Sequence, residues 1–483
     1  MNATLIARVL AALLLIIVAF MFAPLIVAVA SRESALYAAF LVPIGSVSLP
    51  AGLLLLLTRG RRESMSMKSG FFLVTASWLS AAAVGSLPFV ISGEIPRFVD
   101  AFFETISGFT TTGATILTDI EALPRSLLFW RSLTHWLGGM GIIVLTVAIL
   151  PLLGVGGYQI MKAEAPGPSM DRLTPKITET AKILWLIYIG LTVLQTALLM
   201  LGRMSLYDAL THTFGTLATG GFSPRAASVG HYQSAYVDVV ITVFMLAAGV
   251  NFILYYRALM GHFGSFARNT ELKAYLGIFA VATVAIAVTL YGRTYDSVAE
   301  SFRFAGFQSA SILTTTGYAT ADFALWPDFA QGLLFALMFI GGSAGSTGGG
   351  IKVVRIVTII RLGFNEMRYL LHPRGVFALR MNGQPLRKSI VYSIAGFAFL
   401  YVFGLIATTI VVASGGHDLL TSVTTALATL GNIGPGFGRI GPVENYAFFQ
   451  DYIKWFLSAI MLTGRLEIYT VLVLFTRGFW NSQ

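Results

Sequence analysis

The sequence contains no cysteine and few charged residues. Of its 483 residues, 11% are charged and 56% are hydrophobic, whereas about 25% are charged in an ordinary soluble domain. The lack of cysteine excludes disulfides, thiolate metal sites and iron–sulfur clusters. A mean hydropathy of +0.78 excludes the low-hydrophobicity regime of disordered chains. The composition therefore predicts a protein whose surrounding solvent is a lipid bilayer.

Residues suited to metal binding or catalysis are also scarce. The six histidines are scattered, and no two of them stand four positions apart to form a ligand pair on one helix face: His135, His212, His231, His262, His372 and His417. We find no paired carboxylates within the apolar segments and no nucleophile with a base at sensible spacing. The sequence therefore argues against an enzyme, and we expect no cofactor in this chain.

Ten apolar stretches are long enough to cross a membrane, which requires about 20 residues each. They lie near residues 5–30, 35–58, 70–92, 126–153, 177–201, 235–260, 272–291, 329–361, 389–414 and 450–475. An even number of spans returns both termini to the same side. We thus expect an all-α polytopic membrane protein.

Basic residues concentrate in loops on one face of this ten-span arrangement. The loop 59–69 carries four basic residues and one acid, and the loop 361–389 carries six basic residues and one acid. The positive-inside rule makes this face, and with it both termini, cytoplasmic. Since topology accounts for the net charge of +10, no nucleic-acid partner is needed.

Four connections on the opposite face share a pattern: a short apolar segment followed by a polar run that contains glycine. The runs are Thr111-Thr112-Gly113, Thr219-Gly220-Gly221, Thr315-Thr316-Gly317 and Asn432-Ile433-Gly434. In an alternative register, Gly220 and Gly431 take the places of Gly221 and Gly434 in the pattern. The pattern predicts a two-span preface (1–69) and four helix–pore-helix–filter loop–helix repeats (70–160, 161–262, 263–370 and 371–483) around a central pore.

The short segments are expected to begin near Asp100, Asp208 and Asp418 as N-caps, with Asp296 a less regular counterpart. Their C-terminal ends, which are the negative ends of the helix dipoles, would then converge on the membrane middle and favour a cation. Backbone that is not helical is tolerated at this depth only where protein buries it or where it lines a water-filled path. Carbonyls of Thr-x-Gly runs can replace the water shell of potassium, so we expect this ion as substrate at the four runs.

Two other interpretations of the runs remain open. The glycines could serve only to let helices approach closely. Alternatively, glycine-interrupted spans are typical of secondary transporters that couple a substrate to protons or sodium, but those predict two inverted halves. A fourfold recurrence in one orientation favours a pore.

A candidate gate lies in the stretch from Asp328 to Arg361. As one helix its 34 residues would extend about 51 Å, more than the hydrocarbon core of about 30 Å, so we expect a break at 341–350. Arg465 is costly within a span. We predict that Arg465 holds the loop residues Gly345, Ser346, Thr347, Gly348 and Gly349 beneath the filter, the alternative being that Arg465 only pairs with Glu467 or another acid.

Together, the two-span preface, the four runs and the segments 135–141, 341–350 and 464–467 resemble the Trk/Ktr/HKT superfamily of potassium transporters. The resemblance implies a homodimer in the bacterial inner membrane, one pore per subunit, and a cytoplasmic ring of nucleotide-binding (TrkA-like) regulatory subunits. In that superfamily, serine at the first filter glycine goes with sodium permeation, and this chain has Gly113. The run Asn432-Ile433 departs from the Thr-x pattern of the other three.

Overall fold

The computed structural model describes residues 3–59, 65–141, 177–375 and 377–481. Helices dominate these residues, which confirms the expected all-α class. The preface consists of α1 (Ala3–Phe20), α2 (Phe22–Ala30) and α3 (Tyr37–Leu57). The first repeat contains α4 (Met67–Ser92), α5 (Phe98–Phe109) and α6 (Arg125–Gly139). The second contains α7 (Ile177–Leu201), α8 (Leu206–Leu217), α9 (Ala235–Ala248) and α10 (Phe252–Leu259).

The third repeat contains the short α11 (Gly264–Arg268), α12 (Thr270–Leu290), α13 (Val298–Leu313), α14 (Asp328–Leu337) and α15 (Val353–Leu371). The fourth contains α16 (Lys388–Ala413), α17 (Leu419–Leu430), α18 (Asp451–Arg465), α19 (Tyr469–Leu472) and α20 (Arg477–Trp480). Between α15 and α16, β1 (Arg380–Met381) pairs antiparallel with β2 (Gln384–Pro385). Asn382 and Gly383 have positive φ, as a two-residue hairpin turn requires.

Six helical segments in the described part of the chain are long and apolar enough to cross a membrane: Ala3–Ala30, Ser34–Leu57, Met67–Ser92, Glu179–Leu201, Thr270–Leu290 and Lys388–Ala413. Two further pairs, α9 with α10 and α18 with α19, pass the same test as bent spans. The span expected at 126–153 begins with α6, and its part beyond Gly141 lies outside the described residues.

Two spans expected to be continuous are broken, so the prediction was wrong there. The axis bends by 94° between α9 and α10 and by 115° where α19 follows α18. The first break occurs at Gly249 and Asn251, whose side chain caps α10 by accepting a hydrogen bond from Ile253 N. The second occurs where Glu467 and Ile468 both adopt positive φ. The break predicted at 341–350 is confirmed, and it extends from Met338 to Lys352.

Four helices, which we call the short helices, are α5, α8, α13 and α17. Three of them have 12 residues, about 18 Å in length, and cannot cross a core of about 30 Å. Their C-terminal halves are buried, so the longer helices enclose them. Each ends two residues before one of the four runs.

The predicted N-caps are only partly correct. Asp418 caps α17 by accepting a hydrogen bond from Thr421 N. Asp100 and Asp208 instead lie in the first turn, α8 is capped by Ser205, and α13 begins at Val298, beyond Asp296. Helix starts cannot be placed within one turn from an acidic residue alone, since acids favour the whole first turn.

Candidate functional site

The four runs share one backbone conformation. In each run the first residue and the glycine have positive φ: Thr111 and Gly113, Thr219 and Gly221, Thr315 and Gly317, Asn432 and Gly434. Residues other than glycine adopt this region only infrequently, so its recurrence at four equivalent positions identifies a repeated structure. The structure therefore aligns Gly221 and Gly434, rather than Gly220 and Gly431, with Gly113 and Gly317.

The runs form a closed ring in chain order. A Cβ atom added to Gly113 would overlap the carbonyl oxygen of Gly220, and one added to Gly221 would overlap that of Thr316. Continuing around, a Cβ on Gly317 would overlap Ile433 O, and a Cβ on Gly434 would lie 2.7 Å from Thr112 O. Each glycine thus packs against the middle carbonyl of the next run, and the fourth run closes on the first. Only glycine fits at these positions. We call this arrangement the filter ring.

The filter ring forms the floor of an open depression. All four glycines line this space, together with residues from the connections that follow the runs, among them Phe222, Pro435 and Tyr446. The first residue of each run is buried and does not line this space. The glycine backbone is therefore accessible from one side.

Hydrogen bonds between side chains hold the runs in place. Thr110 Oγ1 lies 2.8 Å from Thr112 Oγ1, and Thr314 Oγ1 lies 2.7 Å from Thr316 Oγ1. In the fourth run, Asn432 Nδ2 donates to Thr112 Oγ1 and to Met461 O on α18, both at 2.9 Å. Asn432 therefore links run four to run one and to the last long helix.

The loop 338–352, which we call the inner loop, lies against the opposite side of the filter ring. Gly349 N donates to Thr315 Oγ1 at 2.7 Å. A Cβ on Gly348 would be 3.1 Å from Thr314 O, and one on Gly349 would be 2.5 Å from Gly431 O. The inner loop thus covers the C-terminal ends of α13 and α17.

Arg465 binds the inner loop directly. Its Nη1 donates to Thr347 O at 2.7 Å, and its Nη2 donates to Gly138 O at 2.7 Å and Gly139 O at 2.8 Å. The guanidinium therefore joins α18, the inner loop and the end of α6. Glu467, considered as an alternative partner, forms an ion pair with Arg355 on α15.

A second residue that holds the inner loop was not predicted from the sequence. Glu271, buried in the first turn of α12, accepts hydrogen bonds at Oε1 from Ala344 N (2.8 Å) and Val354 N (3.0 Å). One carboxylate oxygen therefore joins the inner loop at Ala344 to the first turn of α15, which follows the loop. An acidic residue at the start of an apolar span was the available signal, because such groups are retained where they have a partner.

Sequence reasoning also missed a buried ion pair beside the filter ring. Arg131 Nε on α6 lies 2.6 Å from Glu104 Oε1 on α5, and both side chains are almost completely buried. Two opposite charges in neighbouring apolar segments were the signal in this case.

These features define a polytopic membrane protein with a ring of four re-entrant runs. The chain matches the family described as TrkH, cation transport protein, over residues 39–481, and it belongs to that family. It is 42% identical to the Trk system potassium uptake protein TrkH of Salmonella typhimurium over 429 residues, which cover 87% of this chain and 88% of that protein.

Two further relatives match the chain over its whole length. The TrkH protein of Halomonas elongata is 38% identical over 489 residues, covering all of both chains. The crystal structure of the potassium transporter TrkH from Vibrio parahaemolyticus superimposes with a TM-score of 0.89 at 36% identity, again covering all of both chains. The likeness therefore includes the fold as well as the sequence.

Proposed function

We propose that this protein carries potassium into the bacterial cell across the inner membrane through a selectivity filter of backbone carbonyls. The observation that carries this proposal is the closed filter ring, in which four runs of equal conformation pack glycine against carbonyl. The printed names of the relatives, which describe potassium uptake, support the choice of ion.

The filter residues are the twelve residues of the four runs. Carbonyl oxygens of these runs would replace the water that potassium loses on entry. The four short helices add to this attraction, because each ends just before a run and presents the negative end of its dipole there. The division into a preface and four repeats follows from the same arrangement, since each proposed repeat contains one short helix and one run.

The inner loop is the proposed gate. It contacts Thr315 and the end of α17, so an ion leaving the filter ring on this side would meet it. Arg465 and Glu271 hold it in place, and the guanidinium also places a positive charge on the proposed path of a cation. Moving the inner loop would therefore open the path both sterically and electrostatically.

A cytoplasmic nucleotide-binding subunit of the TrkA type is the proposed regulator, and the protein is proposed to act as a homodimer with both termini in the cytoplasm. The basic surface 361–388 supports this proposal. Arg368, Arg374, Arg380, Arg387 and Lys388 are exposed there, and they would attract an acidic or nucleotide-loaded partner.

A second candidate is a secondary transporter that couples its substrate to protons or sodium. The broken spans at 249–251 and 466–468 favour it, since such transporters build their sites from discontinuous helices. The fourfold closure of the filter ring favours the pore.

Flux through the purified protein in liposomes separates the two candidates. A pore predicts potassium flux that follows the potassium gradient and membrane potential without a proton or sodium gradient. Potassium flux that requires either of these gradients would support the coupled transporter instead. Equal flux of potassium and sodium would contradict a potassium-selective filter.

A further inference from the structure

We propose that four buried side chains on the short helices, Glu104, His212, Gln308 and Thr424, are positioning residues that set the shape of the filter ring. We call them the strand anchors, because each binds the non-helical segment that follows its run. We call these four segments the filter strands. The inference rests on the proposed function of the filter ring. It assigns the control of selectivity to residues that do not themselves face the ion.

The strand anchors occupy related places in the repeat. Glu104, His212 and Gln308 each stand seven residues before the first residue of their run, and Thr424 stands eight residues before Asn432. All but Thr424 therefore share one register position. Their exposed fractions are 1% for Glu104 and 0% for the other three. Buried polar groups need a partner, and all four of these side chains have a partner on a filter strand.

The anchor of the first run makes two bonds. Glu104 Oε1 accepts from Thr115 Oγ1, and Glu104 Oε2 accepts from Ile116 N, both at 2.9 Å. Thr115 and Ile116 directly follow Gly113 and Ala114, so the carboxylate fixes the strand just beyond the filter glycine.

The second run uses an imidazole at the same position. His212 Nδ1 lies 2.8 Å from Asp208 O, an acceptor, and must therefore carry the hydrogen. His212 Nε2 lies 3.1 Å from Ser223 Oγ, which donates to the neutral ring. Ser223 lies two residues after Gly221, as Thr115 lies two residues after Gly113, so the two anchors bind equivalent positions.

The remaining two anchors bind backbone carbonyls. Gln308 Nε2 donates to Tyr318 O at 3.2 Å. Thr424 Oγ1 lies 2.8 Å from Phe437 O on the filter strand and 2.9 Å from Leu420 O on its own helix, so these two carbonyls share its one hydrogen. Each of the four filter strands is therefore tied to its own short helix, although the chemistry of the tie differs between repeats.

The first anchor also connects two runs. Arg131, paired with Glu104, donates from Nη1 to Ser223 O at 3.0 Å, and its guanidinium carbon lies 3.5 Å from the centre of the Phe222 ring. The Glu104–Arg131 pair thus connects the filter strand after run one to the filter strand after run two. Replacing the carboxylate by an amide leaves only one acceptor oxygen for Thr115 Oγ1 and Ile116 N, and it leaves a buried cation without its counter-charge. We therefore expect Glu104 to have the largest effect of the four.

The matched test compares Glu104→Gln with Asp100→Asn. Asp100 lies on the same short helix and forms a largely buried ion pair with Lys454 at 2.6 Å, but this pair ties α5 to α18 and not to the strand after run one. In liposomes, Glu104→Gln should lower the potassium-to-sodium permeability ratio about tenfold, equivalent to about 1.4 kcal/mol, the size of one hydrogen bond. Asp100→Asn should leave the ratio within about twofold of the native value.

A second pair of variants covers the case in which Glu104→Gln does not fold. His212→Ala removes the anchor of run two, and His212→Gln replaces it with the residue used in run three. We expect the alanine variant to lose selectivity and the glutamine variant to retain most of it, because the glutamine amide can bond to Ser223. A role in overall stability alone would not produce this difference in folded protein.

Three outcomes would overturn the inference. They are a native permeability ratio in folded Glu104→Gln, an equal loss in Asp100→Asn, and equal ratios in His212→Ala and His212→Gln. Gly113→Ser measured in parallel distinguishes the failure of this inference from that of the proposed function. If Gly113→Ser alters the ratio and the anchor variants do not, the ring is a filter whose selectivity does not depend on the strand anchors. If Gly113→Ser also leaves the ratio unchanged, both proposals are wrong.

Discussion

Arg465 donates a hydrogen bond to the carbonyl oxygen of Thr347 at 2.7 Å. The bond joins the last long helix of the chain to the middle of the inner loop, 118 residues earlier in the sequence. Since the inner loop also contacts the filter ring through Gly349 and Thr315, a movement of α18 and a movement of the inner loop are coupled.

Replacing Arg465 by alanine should raise potassium flux in the absence of any regulatory partner. The variant loses charge-assisted bonds to Thr347, Gly138 and Gly139, each of about 1.5–3 kcal/mol, which favours displacement of the inner loop. Basal flux in liposomes measures the effect, and Arg465→Lys is the control because an ammonium retains a donor and the charge. Basal flux at the native level in folded Arg465→Ala protein, and equally in a folded chain lacking residues 346–349, would show that the loop does not gate.

Glu271→Gln should also raise basal flux, but by a smaller factor. The neutral amide oxygen can still accept from Ala344 N or Val354 N, but it is a weaker acceptor than a carboxylate. Glu366→Gln is a suitable control, because Glu366 is exposed on α15 and the substitution removes the same charge. If both variants raise flux equally, the effect comes from the loss of a negative charge and not from the inner loop.

The basic surface yields a prediction about the regulatory partner. Changing Arg368, Arg374 and Arg387 to glutamine should weaken capture of a purified nucleotide-binding subunit while the membrane orientation stays native. Changing Arg203 and Arg293 to glutamine is the control, because both are exposed beyond the ends of α7 and α12 and the expected topology places them on the other face. Undiminished capture by the triple variant would mean that these charges serve only to set the topology.

Asp418, the N-cap of α17, should make a pH-dependent contribution to the free energy of unfolding. Hydrogen bonds from the side chain and the backbone N–H of Thr421 lower the pKa of Asp418. The folded protein therefore prefers the carboxylate, and the stabilisation is present above the unfolded pKa of about 3.9. It is lost as the pH falls through the lower folded pKa.

We expect Asp418→Ala to destabilise the protein by about 1 kcal/mol at pH 7, the usual value of an N-cap. The amide oxygen that Asp418→Asn introduces can still accept the capping hydrogen bond, so this variant should lose much less stability and should remove the pH dependence. Thermal unfolding in detergent at pH 7 and at about pH 2, below the unfolded pKa of about 3.9, measures both effects. Equal stability of the alanine variant and the native protein at pH 7 would rule out a capping role.

The sequence was most informative where a pattern repeats. The spacing of Gly113, Gly221, Gly317 and Gly434 is visible without coordinates, because one backbone conformation requires glycine at each of the four positions. The break near Gly345 followed from length, since a helix of that size exceeds the bilayer. These features depend on local geometry, which is encoded in neighbouring residues.

Most contacts between distant segments could not be predicted in the same way, and the contact of Arg465 with the inner loop was expected only because a charge within a span needs a partner. Glu104 pairs with Arg131 and Glu271 binds Ala344 because the fold brings separate helices together, and neither pairing follows from spacing. The sharp bend after Arg465 was missed too, since Glu467 and Ile468 adopt positive φ against their intrinsic preference. Burial and tertiary hydrogen bonds stabilise that conformation, and the sequence reveals them only through an unexpected charge in an apolar segment.

The potassium-to-sodium permeability ratio of Gly113→Ser, compared with that of Gly93→Ser, tests the filter ring most directly. The two glycines have almost the same φ, +81° and +80°, but a side chain on Gly113 overlaps Gly220 O whereas nothing lies within 4 Å of one on Gly93. Backbone strain is therefore matched, and only the contact with the ring differs. We predict a clear fall in the ratio for Gly113→Ser and a native ratio for Gly93→Ser. A native ratio in folded Gly113→Ser protein would mean that the filter ring does not select the ion.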